Sequence, residues 1–147
     1  MLELTRGEFR ISTDPAHIDI KALHEFLSLH SGWARGIPLE RVQKSVEHSL
    51  NFTLLQGTRQ IGFARVISDC STIAYLGDVY VLPEFRGQGL SKWLMQAVMN
   101  HPDLQGLRRW ILLTADAHGL YQQYGWAPIA NAQRYMEKFD AEVYTRV

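Results

Sequence analysis

The chain has a single cysteine, Cys70, in 147 residues. One thiol forms no intramolecular disulfide and leaves no Cys-rich zinc pattern, so a reducing compartment is expected. Net charge is absent too, with 15 Lys+Arg against 15 Asp+Glu. That balance argues against a strongly basic nucleic-acid binder and against a polybasic membrane clamp. No apolar run approaches the roughly 18 residues a membrane span needs, and the opening MLELTRGEFR lacks the apolar stretch of a signal peptide. A cytoplasmic protein without nucleic-acid or membrane partners is the expectation. His17, His24, His30 and His48 have no tight spacing with carboxylates or cysteine, so no metal site is expected.

Hydrophobic residues make up 46% and charged residues 20%, which is the composition of a chain that buries a core. There is no Gly/Ser/Pro-rich linker, charge block or internal repeat, so residues 1–147 read as one domain. The elements alternate in type. EFRIST, residues 8–13, reads as a strand; Thr13 or Asp14 with Pro15 opens a helix carrying Ile18, Leu23, Phe26 and Leu27, which ends near Ser31-Gly32. Pro38 opens a second helix with Leu39, Val42 and Val46 inward. From Asn51 the period changes to that of a hairpin, NFTLLQ and IGFARVIS about a turn at 57–60, and TIAYLGDVYVL, residues 72–82, reads as a central strand. A helix carrying Leu90, Trp93, Leu94, Ala97 and Val98 follows, then a strand at 108–115, a short helix around GLYQQY and a last strand near QRYMEKF. The fold class is α/β of the α+β type.

The segment VYVLPEFRGQGLS takes a strand through a glycine-containing turn directly into a helix. The first backbone N–H groups of such a helix lack internal partners and lie at the positive end of its dipole. Gly87 and Gly89 remove β-carbons that would hold a pyrophosphate off those N–H groups, while Arg86 and Lys92 add charge. A second reading needs no ligand, the glycines simply permitting a tight turn. The nucleotide motifs of other folds fail here. There is no Gly-x-x-x-x-Gly-Lys-Ser/Thr, and the third glycine of Gly-x-Gly-x-x-Gly is missing after Gly87-x-Gly89.

The run Arg86-Gly87-Gln88-Gly89-Leu90-Ser91 resembles the acetyl-CoA signature of the GNAT N-acetyltransferases, Gln/Arg-x-x-Gly-x-Gly/Ala. Leu120-Tyr121-Gln122-Gln123-Tyr124-Gly125-Trp126 is similar to the family's Phe-Tyr-Glu-Lys-x-Gly-Phe element, and the order of elements agrees across nearly the whole chain. The resemblance implies a mixed, mostly antiparallel sheet whose fourth and fifth strands splay apart, with about four helices. It implies acetyl-CoA as acyl-donor substrate, a small-molecule or peptide amine as acceptor, and a possible homodimer. Carried over, backbone groups of Val79, Tyr80 and Val81 hold the pantetheine arm and thioester, and Arg86, Gly87, Gln88, Gly89, Leu90, Ser91 and Lys92 hold the pyrophosphate. Ser91 stands where the family has Gly or Ala. Thr114 stands where many members have a cofactor-contacting Asn. Tyr121 matches the tyrosine that protonates the departing thiolate, a role a phenol of pKa about 10 can fill at neutral pH. Tyr124 reads as packing.

Asp78 is a carboxylate inside an apolar strand, so it needs a partner or a cavity: it reads as a base acting through water, as an anchor for the acceptor amine, or as a structural hydrogen-bond acceptor. His118, one turn before Tyr121 and near Asp116, has the chemistry of a proton shuttle or of a helix-end residue. Trp33 and Arg35 fall where the family builds its acceptor pocket, and suit an aromatic or carboxylate-bearing amine; Trp33 also suits a plug at the helix junction. Trp93, Trp110 and Trp126 read as core. Two rival functions stand beside N-acetyl transfer: a non-catalytic acyl-CoA binding or sensing module, and a protein-interaction domain.

Overall fold

The computed structural model describes residues 1–146. Six strands form one sheet in chain order: β1 (Glu3–Arg6), β2 (Phe9–Ser12), β3 (Leu50–Gln56), β4 (Arg59–Ser68), β5 (Ile73–Val81) and β6 (Arg109–Leu112). All neighbours are antiparallel except β5 and β6, which run parallel. Four helices complete the fold: α1 (Ile20–Glu25), α2 (Leu39–Glu47), α3 (Leu90–Asn100) and α4 (His118–Gln122). Side chains alternate across a strand, so the sheet divides the core in two. On one face Leu54, Val66, Leu76 and Val81 pack with Leu94, Val98 and Tyr121 of α3 and α4. On the other, Phe63 and Tyr80 pack with Leu23, Phe26, Leu27 and Val42 of the α1–α2 region.

One irregularity positions everything that follows. Phe63 pairs with Tyr80 but Arg65 pairs with Gly77, so Ala64 faces two residues, Asp78 and Val79. This is a β-bulge on β5. Asp78 takes it up in the left-handed region, with φ 53°, a conformation that costs a residue with a Cβ about 1–2 kcal/mol. The ladder to β6 ends at Leu76–Leu112, immediately before the bulge, while β5 runs on to Val81 beside β4. The splay between these two strands therefore begins where the bulge begins.

Several expected elements take a different form. A charged hairpin strand, β1, precedes the expected first strand; it is an exposed edge and carries no apolar run to announce it. The first helix is broken in two. Asp14 caps a single 3-10 turn at Pro15–His17, Asp19 caps α1 through a 3.0 Å bond from the Ala22 N–H, and α1 passes into a π-helical turn at Phe26–His30. β6 is shorter than residues 108–115. The last strand, QRYMEKF, is absent: among the described residues no strand follows β6, and Ala132–Arg134 form a 3-10 turn. Its alternation has no ladder partner in the chain.

Candidate active site

The splay leaves one edge of β5 free. Leu82 N–H bonds the Ile61 carbonyl at 2.8 Å, and backbone groups alternate along a strand, so Val81 and Val79 turn their N–H and C=O towards the gap while Tyr80 faces β4. The turn after β5 lies at the mouth of this gap. Gly87 and Gly89 have φ 81° and 77°, left-handed values that suit only glycine without strain, and no atom lies within 4 Å of where a Cβ would stand. The cradle is open. Gly89 is the N-cap of α3, whose first interior bond is Trp93 N–H to Gly89 O at 3.1 Å, so the N–H groups of Leu90, Ser91 and Lys92 have no partner within the helix. Arg86 and Lys92 are exposed beside them. Open backbone, free N–H groups and two cations together fit a pyrophosphate.

Tyr121 is brought into the same core cluster as Val81, at 8% exposure, while its hydroxyl makes no hydrogen bond among the described residues. Burial first, and then the charge of Asp116, push the phenol above its ordinary value of 10.0. It is held protonated through the neutral range. Trp126 packs on it with ring centroids 5.9 Å apart, and Trp110 meets Trp126 edge-on at 5.7 Å. Tyr124 donates its hydroxyl to the Lys92 carbonyl at 3.0 Å, tying α4 to the first turn of α3.

Asp78 lies on the opposite side of β5's bulge with both oxygens engaged. Trp33 Nε1 donates to one at 2.9 Å and Arg65 Nε to the other at 2.8 Å. The Arg65 and Asp78 side chains are only 17% and 11% exposed. Trp33 itself is 55% exposed, its ring 6.4 Å from Phe26, which stacks on Tyr80 at 3.8 Å. Tyr80 is fixed in turn by Gln60, whose amide donates to its hydroxyl at 3.0 Å.

The family question is settled by similarity to known proteins. Residues 47–128 match the model of the acetyltransferase (GNAT) domain. The chain belongs to the GNAT superfamily of N-acetyltransferases. A crystal structure from Xanthomonas campestris pv. campestris, described as a candidate acetyltransferase of the GNAT family, is 51% identical and superposes with TM-score 0.92, covering 97% of this chain and 100% of that one. A Gibberella zeae protein named as a candidate acetyltransferase, FG08082, is 35% identical over 80% of this chain and 77% of its own length. An Arabidopsis thaliana glucosamine-6-phosphate N-acetyltransferase, 18% identical over 89% of this chain and 97% of its own with TM-score 0.61, shares the fold. The GNAT fold generally uses acetyl-CoA as donor, and the cradle described above has the form such a donor requires.

Within this GNAT chain the residues singled out from sequence divide. Val79, Val81, Arg86, Gly87, Gln88, Gly89, Leu90, Ser91 and Lys92 form one continuous path from the free edge of β5 to α3. Tyr80, expected to act through its backbone, pairs with Phe63 of β4 and packs its ring in the α1–α2 cluster. The Thr114 hydroxyl accepts from Ala117 N–H at 3.0 Å, ordering the approach to α4. His118 and Arg35 are exposed and make no side-chain hydrogen bond within the chain. Trp33 and Asp78, which are 45 residues apart, meet directly. Arg65 and Ser49, bonded at 3.1 Å, match no motif by their spacing, and only the pairing of β4 with β5 brings Arg65 to Asp78. Among the described residues no group of three or more His, Cys, Asp or Glu is placed to hold a metal ion, and no helix is long and apolar enough to cross a membrane.

Proposed function

We propose that this GNAT acetyltransferase moves an acetyl group from acetyl-CoA to a primary amine of a small molecule or peptide, by direct attack on the thioester. The observation that carries this reading is the free edge of β5 followed, after one 3-10 turn at Pro83–Phe85, by the glycine cradle of α3. The N–H of Val81 and the groups of Val79 hold the pantetheine arm and the thioester carbonyl, and Arg86 to Lys92 hold the pyrophosphate. As the amine nitrogen bonds the carbonyl carbon, negative charge develops on oxygen beside the β5 edge, where fixed backbone N–H dipoles stabilise it. The C–S bond then breaks, and Tyr121 gives its proton to the departing thiolate. The surplus proton of the amine leaves through water at the open side of the cleft.

Both oxygens of Asp78 already accept hydrogen bonds, which favours ordering of the acceptor side over proton abstraction. The exposed Trp33 ring and the Arg35 cation supply the recognition, suited to an amine that carries an aromatic group or a carboxylate.

A homodimer accompanies this reading. Among the described residues the outer edge of β6 has no strand against it. Leu113, which follows its last residue, is 76% exposed. An open strand edge is a template on which a strand of another chain can pair. A second copy, presenting the same edge about a two-fold axis, is the occupant.

The test is release of free CoA thiol from acetyl-CoA across amines, amino acids, polyamines and peptides, with wild type and Tyr121→Phe side by side. Turnover on one class, reduced about 10²-fold in the variant, supports transfer with Tyr121 as acid. Equal turnover removes Tyr121 from the chemistry. A clear acetyl-CoA thermal shift with no turnover on any amine supports a sensing module instead.

A further inference from the structure

Arg65 sits at the one point from which both halves of the cleft are reached. It lies on β4 opposite Gly77, at the edge of the bulge. Its Nε holds the carboxylate of Asp78, the bulge residue in the left-handed conformation, at 2.8 Å. Its Nη1 donates to Ser49 Oγ at 3.1 Å, and Ser49 in turn donates to the Ser45 carbonyl of α2 at 2.6 Å. The other oxygen of Asp78 holds the Trp33 indole at 2.9 Å. One guanidinium therefore ties the bulge, the α2 end and the loop after α1 together.

We infer that Arg65 is a positioning residue for acetyl transfer, acting through Asp78: the ion pair holds the strained bulge, and so aims the Val79 and Val81 N–H groups that follow it, while the same carboxylate sets Trp33 over the acceptor side. The inference rests on the transfer reading given above. A left-handed carboxylate residue has no reason of its own to stay in that conformation, and surrounding structure must over-determine it. Arg65 is what does so here, with two directed N–H groups that a lysine ammonium cannot place in the same fork. The pyrophosphate cradle lies beyond the bulge on α3 and has no bond to Arg65. Donor affinity and thioester alignment are thereby separable.

The experiment compares wild type with Arg65→Met, Asp78→Asn and the double variant, measuring steady-state kinetics for acetyl-CoA and an accepted amine, together with backbone amide NMR. Arg65→Met is expected to lower kcat about 10²-fold while the KM for acetyl-CoA stays within a factor of about two. The double variant is expected to lose no more than the single ones, because the two residues act as one device. Amide signals of Asp78 to Val81 and the Trp33 indole signal shift, while the signals of Leu90 to Trp93 still respond to acetyl-CoA. A lowered melting temperature with kcat unchanged at temperatures well below it makes the pair merely structural and overturns the inference. So do unmoved signals at Asp78 to Val81. If Arg65→Met does not fold, Arg65→Lys and Trp33→Phe carry the same comparison. If wild type acetylates no amine, the transfer reading has failed on its own, and the amide signals alone decide whether Arg65 holds the bulge.

Discussion

Arg86 Nε donates a 3.0 Å hydrogen bond to the carbonyl oxygen of Val81. The residue that opens the glycine turn thus grips the strand that precedes it, at the carbonyl that faces the gap. One side chain joins the free edge of β5 to the glycine turn, and its remaining N–H groups stay available to an anion. Arg86→Ala is expected to raise the KM for acetyl-CoA about tenfold, the size of one lost charge-assisted hydrogen bond, with kcat little changed. The defect should shrink as salt is added to wild type, because screening weakens the same attraction there. Initial rates at low and high ionic strength check both statements.

Gly89→Ala places a Cβ in the open cradle and forces alanine to φ 77°. The strain should cost about 1–2 kcal/mol of stability. Gly57, at φ 61° on the β3–β4 turn, also has no atom within 4 Å of a Cβ, so Gly57→Ala carries the strain without touching the cradle. Both variants should melt lower. Only Gly89→Ala should lose most of the acetyl-CoA thermal shift.

Tyr80 sets an alkaline limit on the fold. Burial is the main cause that raises its hydroxyl to about 12, offset in part by the bond from Gln60. The unfolded chain ionises this group near 10, so the folded state holds the proton more tightly. The contribution to stability is complete below pH 10 and is lost as pH rises from there to about 12. Denaturant unfolding across that range should show the fall. Tyr80→Phe should flatten it and should cost about 1–3 kcal/mol at neutral pH, because the Gln60 amide is left buried without its acceptor.

The proposed dimer joins the β6 edges of two copies. Leu113→Glu, just past that edge, should convert a dimer to a monomer in sedimentation equilibrium, since carboxylates of like sign would face each other across a two-fold axis. A wild-type protein that is monomeric at all concentrations would remove the interface.

Local features of this fold were legible in the sequence, and those that depend on register were not. The glycine turn, the hairpin about residues 57–60 and α2 follow from neighbouring residues alone, and each appears where its turn and helix signals stand. The break in the first helix was not read, although its signal is local: Asp19, a second capping residue five positions after Asp14, marks it. The bulge is different in kind. Nothing in TIAYLGDVYV says that one residue of β5 is unmatched on β4, and the only hint is a carboxylate in an apolar strand. That hint led to Asp78 but not to Arg65, because the pair lies across two strands whose register local sequence does not give. The strand expected at QRYMEKF failed for the complementary reason: alternation specifies a face, and a ladder also needs an edge to join.

The division of the core by the sheet has a consequence for how such a protein diversifies. Tyr121, α3 and the glycine cradle belong to one cluster, and the Tyr124 hydroxyl fastens α4 to α3. Trp33 and Arg35 lie on a loop anchored in the other cluster. β4 and β5 both supply residues to the two, Val66 and Val81 to the first and Phe63 and Tyr80 to the second. On the proposed reading, loop residues other than Trp33, which is bonded to Asp78 of β5, can change without touching the donor half, so a lineage can exchange one amine for another while the donor site is inherited intact.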